Sequence, residues 1–232
     1  MKRVLVATSN PGKIRDLIGA ARAHNVEIAM LPGFALLPGV VEDGLTFEAN
    51  ARKKAEHYSK YAEGEIVIAD DSGLEVDALK GAPGVRSARY AADDPQVIAP
   101  RIGANSSASS GQAPEHHVED ANSDDEANNA RLLRELHDVP DEFRTGRFVC
   151  VIAAARKGHT LATFHGKAEG VILHARRGCN GFGYDPLFYF REIEKTFAEL
   201  TAEEKAGYSH RGAAFRAFLA WEDESEDRHP HR

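Results

Sequence analysis

Two adjacent carboxylates, Asp70 and Asp71, follow a short apolar run, Ile66 to Ala69, and precede Ser72 and Gly73. Such a run reads as a buried strand, and in an open α/β sheet ligands bind beyond the carboxyl ends of strands. Acids delivered there, with Gly73 letting the backbone turn, can hold a hard cation or activate water. The same residues suit a helix N-cap, because Asp and Ser satisfy orphan amides, so the tetrapeptide alone has two readings. Glu42 lies in the turn Glu42-Asp43-Gly44, where complementing a helix dipole is the default role of an acid. Paired with Asp71 it becomes a candidate magnesium ligand, since that ion takes one or two protein carboxylates and completes its shell with phosphate oxygens and water.

An anion site is suggested by Thr8-Ser9-Asn10-Pro11-Gly12-Lys13, between a first strand and a first helix. A loop there offers amides, hydroxyls and a helix N-terminus, and Lys13 adds a point charge. It is not the P-loop pattern, because the first Gly is missing and Ile14 follows the Lys. Lys53 and Lys54, on the helix after Glu42, would ordinarily be solvated, although one can face phosphates. Gly181-Phe182-Gly183-Tyr184-Asp185-Pro186 joins aromatics to glycines; it suits either a core aromatic at a tight turn or stacking on a planar base, with Asp185 orienting donors. In Ser209-His210-Arg211-Gly212, Ser209 is a helix N-cap, while His210 and Arg211 are surface residues or donors to a purine carbonyl.

The elements that would position these groups are legible in outline. Lys2 to Ala7 reads as a strand, Lys13 to about Ala23 as an amphipathic helix and Thr46 to about Tyr61 as a second helix with Phe47, Ala51, Ala55 and Tyr58 inward. Leu74 to Leu79 alternates as a separate half-exposed strand. Residues from about Ala92 to Glu126, including Asn105 to Gly111, read as a flexible insertion. Helical spacing returns at Asn128; Phe148 to Ala155 and Thr160 to Gly166 form a hairpin across Lys157-Gly158, and Val171 to Ala175 a further short strand. Thr201 and Glu204 form a capping box, and a last helix covers about Arg211 to Trp221. The charged tail, Glu222 to Arg232, is expected to be disordered.

Composition sets limits. The 232 residues, 42% hydrophobic, suffice for one domain with a full core. A net charge of -7 argues against a general nucleic-acid binder, though a local basic cluster still suits small anions. Cys150 and Cys179 lack metal or redox spacing, which fits a reducing cytosol. No stretch is long enough to span a membrane, so a cytoplasmic location is expected.

In this order the segments resemble the inosine triphosphate pyrophosphatase family, which hydrolyses non-standard purine nucleoside triphosphates. The resemblance rests on Ala7 to Lys13, Glu42 to Ala51, Ala69 to Leu74, Gly81-Ala82-Pro83-Gly84 with Ser87-Ala88-Arg89-Tyr90, Gly181 to Pro186, Lys195 to Leu200, and Ser209 to Gly212. It implies an α/β fold with an elongated mixed central sheet, flanking helices and two lobes around a deep cleft, and a homodimer. It implies that Thr8, Ser9, Asn10, Pro11, Gly12 and Lys13 bind the triphosphate, that Glu42 and Asp71 serve Mg2+, and that Asp71 is the general base. Ser72, Phe182, Gly183, Tyr184, Asp185, Lys205, His210 and Arg211 follow as substrate contacts, with Lys53 on a phosphate. The implied substrates are ITP, dITP and XTP, cleaved to monophosphate and pyrophosphate; a different base preference, or a non-catalytic nucleotide-binding protein, are the rival readings. The chain departs from the family in the long segment after Tyr90 and in Glu194, where a Gly is common.

Overall fold

A computed structural model describes residues 2–94 and 124–228, with side chains described to 224. Seven strands form one mixed sheet in the order β2-β1-β3-β4-β5-β6-β7. The chain runs β1 (Lys2–Val6), α1 (Pro11–Arg22), β2 (Val26–Met30), α2 (Phe47–Tyr58), β3 (Val67–Val76), α3 (Asp125–Glu135), β4 (Thr145–Arg156), β5 (His159–Ile172), β6 (Phe188–Phe190), β7 (Lys195–Thr196), α4 (Ala202–Tyr208) and α5 (His210–Arg228). β1 is parallel to β2 and β3, whereas β3 through β7 pair antiparallel.

Alternation along the strands builds a core on each face. Leu5, Val67, Ala69, Val149, Val151 and Ala153 pack beneath Ala51, Ala55 and Tyr58 of α2. Val4, Val6, Ile68, Ile152 and Ala154 meet Leu17 of α1 and Phe215 and Phe218 of α5 on the opposite face. Beyond them Leu74, Val76 and Phe148 join Leu132 and Leu136 of α3 with Phe188 and Phe197. The rings of Phe148, Phe188 and Phe197 lie 4.7 to 5.9 Å apart, and such pairs each add about 0.5–1.5 kcal/mol beyond their buried area.

The two strands expected on either side of Asp70-Asp71-Ser72-Gly73 are one. β3 passes straight through the tetrapeptide because β4 supplies an unbroken ladder, from Val67 opposite Ala155 to Val76 opposite Gly146. The acids are therefore mid-strand rather than at a strand's end, and they cap no helix. Gly73 makes no turn; a Cβ there would stand 2.3 Å from Ser87 Oγ and 2.6 Å from the Gly84 carbonyl, and Leu74 N–H donates to Ser87 Oγ at 2.9 Å. Likewise Val171 and Ile172 end β5 instead of starting a new strand. The hairpin at Lys157 and Gly158 turns through two positive φ values, 51° and 83°, the geometry of a type I′ connection.

Helix ends differ modestly from the sequence reading. α1 starts at Pro11, a residue pre-set for the first helical position. α3 starts at Asp125, capped by Asp124, so the expected insertion ends earlier there; its residues 95–123 lie outside the described ones. The charged stretch expected to be disordered from Glu222 to Arg232 continues α5 as far as Arg228, anchored where Lys2 pairs with Glu222 and Asp223; residues 229–232 lie outside the described ones. Glu194 has φ +55°, the left-handed region in which glycine is free of strain. No described helix is long and apolar enough to cross a membrane.

Candidate active site

Strand parity sends the two neighbouring acids to opposite faces of the sheet. Asp70 joins the α1 and α5 side. Its carboxylate receives Arg211 Nε and Nη2, both at 3.2 Å, and lies 3.5 Å from Lys13 Nζ. Burial alone would raise its carboxyl, but Lys13, Arg211 and Lys54 together hold it well below the usual carboxylate range. Arg211 also donates to Asp16 at 2.6 Å and to Ser72 Oγ at 2.7 Å. Lys205 Nζ bonds Asp16 at 3.1 and 3.2 Å and Asp185 at 2.6 Å. Asp16, Asp70, Asp185, Lys205 and Arg211 are all buried, and with Lys13 beside Asp70 the network sets three cations against three carboxylates along the cleft wall.

Asp71 points to the α2 side. Asn50 Nδ2 donates to its Oδ2 at 3.0 Å, while Asn50 Oδ1 accepts the Gly44 amide at 2.8 Å. One buried side chain thus ties the Glu42 turn to Asp71. Lys54 Nζ stands 2.9 Å from Glu42 Oε2 and 3.8 Å from Asp71 Oδ1. Burial pushes the Asp71 carboxyl up and Glu42 adds to the push, against Lys54 and Lys13. Lys53 lies outside this group: it is exposed and holds Asp43 at 2.6 Å. Helical phase explains the choice, since Lys54 follows Phe47, Asn50 and Ala51 on the buried stripe of α2. Lys54→Ala is accordingly expected to lower turnover by about 10- to 100-fold, the loss of a charged hydrogen-bonding group, and Lys53→Ala to leave it within about twofold, as for exposed ion pairs. Steady-state kinetics of the two variants checks this.

At the start of α1, Thr8 Oγ1 accepts the Asn10 amide at 3.2 Å and Asn10 Oδ1 accepts the Lys13 amide at 3.0 Å. Ser9 is half-buried and Pro11 exposed. Gly12 is needed for close approach, because a Cβ on it would lie 2.4 Å from the ring of Phe182. Lys205 Nζ and Arg211 Cζ lie 5.0 and 5.6 Å from the centre of that ring, within cation–π range. The loop carrying Phe182 is held from several sides: Asp185 accepts the Phe182 amide, Asp125 accepts the Gly183 amide, Asn129 donates to the Gly183 carbonyl, and Tyr184 donates to the Ser87 carbonyl.

His210 opens α5, whose N-cap Ser209 accepts the Gly212 amide at 3.1 Å. Its ring stacks on Phe148, centroids 4.7 Å and planes 11° apart. Nδ1 is buried without a partner. Burial, then Arg211 and Lys205, push the imidazole well below its ordinary value of 6.5, so it is neutral. The unfolded chain therefore binds this proton more readily, and the unfolding free energy should fall as pH drops from about 6.5. His210→Gln should flatten that slope in denaturant titrations between about pH 5 and 7.

These groups share one cleft of about 300 Å³, lined by Asn10, Lys13, Glu42, Asp71, Phe182 and His210 among others. Ser72, Gly183, Tyr184, Asp185, Lys205 and Arg211 line it too, whereas Thr8, Ser9, Pro11, Gly12 and Lys53 do not. Glu42 and Asp71 suit a hard cation: the Lys54 ammonium already stands between them, and their mutual repulsion would be relieved by more positive charge. Among the described residues no cluster of three or more His, Cys, Asp or Glu could cage a metal, so substrate oxygens and water would have to complete the shell. Asn50, Asp16, Arg89, Asp125 and Phe148 were not singled out from the sequence as site residues, and of the two lysines considered there Lys53 was preferred to Lys54. Lys54 and Asn50 could have been found from the phase of α2; the others depend on long-range packing.

An open mixed sheet with a helix start, an acid pair and an aromatic-walled pocket in one cleft defines an α/β protein whose cleft suits phosphorylated planar ligands. The chain belongs to the Ham1 family, whose model matches residues 4–105 and 110–221. It is 46% identical over 215 residues to a dITP/XTP pyrophosphatase of Acidobacterium capsulatum, covering 93% of this chain and 95% of that one. A dITP/XTP pyrophosphatase of Geobacter sulfurreducens is 42% identical over 225 residues, covering 96% and 98%. The solved Staphylococcus aureus Ham1 protein superposes with a TM-score of 0.71 at 36% identity, covering 97% of this chain and all of that one.

Proposed function

We propose that the protein hydrolyses non-standard purine nucleoside triphosphates, ITP, dITP and XTP, to the monophosphate and pyrophosphate, and so cleanses the nucleotide pool. The observation that carries the reading is the single cleft in which Lys13, the Glu42 and Asp71 pair and the Phe182 loop meet His210 and Arg211. Donors of His210 and Arg211 on its wall would face the carbonyl of a 6-oxo purine. A 6-amino group facing a donor there would leave a polar contact unpaired, costing on the order of 1–3 kcal/mol, or roughly 10- to 100-fold.

In this reading Lys13 and the start of α1 take the phosphate chain. Water attacks the α-phosphorus and passes its proton to Asp71 as the bond to the bridging oxygen breaks and pyrophosphate leaves. Asn50 fixes the orientation of Asp71, and Lys54 offsets charge near Glu42. Glu42 and Asp71 would hold Mg2+, which would supply charge neutralisation at the phosphate oxygens. We extend the proposal to a cytoplasmic homodimer, on the resemblance set out above. The test is magnesium-dependent turnover of ITP, dITP, XTP, ATP and GTP with pyrophosphate and orthophosphate assayed separately. Pyrophosphate from ITP or XTP with little from ATP or GTP supports the reading; orthophosphate alone, or binding without turnover, defeats it.

A further inference from the structure

Arg89 differs from every other cation lining the cleft. Lys13 has Asp70, Lys205 has Asp16 and Asp185, and Arg211 has Asp16 and Asp70 within ion-pair distance. Among the described residues Arg89 has no carboxylate that close. Among the described residues its one side-chain hydrogen bond is from Nη2 to the Glu42 carbonyl at 3.3 Å, which leaves most of a five-donor fork uncommitted. It acts weakly on Asp93, but Arg86 already holds that carboxylate at 2.5 Å.

The backbone carrying Arg89 is tightly fixed, so the position of its stem is built in. The 3-10 segment Gly84–Arg89 is held by Ser87 Oγ, which donates to the Gly84 carbonyl at 2.6 Å. Asn128 donates to the Ala88 carbonyl at 3.2 Å and accepts the Ala91 amide at 2.7 Å. Arg131 bonds the carbonyl of Tyr90 and stacks on its ring. A half-buried guanidinium on a rigid wall, beside the turn that carries Glu42, is arranged to meet an anion with little reorganisation.

We infer that Arg89 is a binding residue for the pyrophosphate portion of the substrate. This rests on the proposed function and adds a contact to it: a planar fork matching two phosphate oxygens, on the Glu42 side of the cleft and remote in role from the His210 pocket. The test is calorimetric titration of inorganic pyrophosphate and of inosine monophosphate, with magnesium present, into wild type, Arg89→Gln and Arg89→Lys. Arg89→Gln should bind pyrophosphate about 10- to 100-fold more weakly, with monophosphate affinity held within about twofold and Arg89→Lys intermediate. Unchanged pyrophosphate affinity in Arg89→Gln, no pyrophosphate binding by wild type, or an equal loss for both ligands would overturn the inference; the last would mark Arg89 as a support of the Glu42 turn. ITP turnover by wild type, run in parallel, judges the functional reading separately, since the titrations do not depend on catalysis.

Discussion

Asp71→Asn is expected to lower kcat for ITP by about 10³-fold, within the range lost when a general base is removed, while the fold stays intact. Asn50 Nδ2, 3.0 Å from Asp71 Oδ2, can donate to an amide oxygen as it does to the carboxylate, so the local geometry survives. Burial and Glu42 disfavour the ionised form of Asp71, so the neutral amide should leave the unfolding midpoint unchanged or slightly higher. Loss of rate without loss of stability is the signature of a group kept for chemistry. Normal ITP turnover by Asp71→Asn would remove Asp71 from the role of base.

Arg211→Met should do the reverse and destabilise strongly. Arg211 is 1% exposed and donates to Asp70, Asp16 and Ser72; its removal leaves Asp70 with Lys13 alone and Asp16 with Lys205 alone. Breaking a buried pair in this way costs about 3–5 kcal/mol, which in a chain of this size lowers the melting temperature by about 10 °C. Adding Asp70→Asn should restore part of that loss by removing one of these carboxylate charges, without restoring kcat/KM, because Arg211 also lines the cleft. The Asp70 contribution has a pH signature as well. Its folded carboxyl is depressed, so its stabilisation is present above the unfolded value of about 3.9 and is lost on acidification below it. Thermal melts of the single and double variants across that range measure both effects.

The order of chemical segments was legible in the sequence because each is local: the loop before α1, the Glu42 turn, the acid pair, the Phe182 loop and the start of α5. That Asp70 and Asp71 lie on opposite faces of one continuous strand was not. Ser72 and Gly73 carry turn chemistry, and only the partner residues Phe148 to Ile152, some eighty positions away, keep β3 extended through them. The identity of the buried lysine lay one residue from the reading, and the stripe Phe47, Ala51, Ala55, Tyr58 already contained the phase that selects Lys54 over Lys53. Strands β2, β6 and β7 escaped because they are short and take their definition from neighbours. Asp16 carries no local signal in the sequence; its partners Lys205 and Arg211 arrive from the far end of the chain.

The continuous pairing of β3 with β4 also acts as a safeguard against misassembly. Sliding β3 by one residue would exchange its faces, moving Asp71 among Arg211 and its partners and leaving Asp70 beside Glu42. Such a chain would keep every residue of the site and yet hold its working acid within the ion-pair network. The steric lock of Gly73 against Ser87 and Gly84 makes that slip costly, so the register of one strand decides which of two identical side chains faces Glu42 and which faces Arg211.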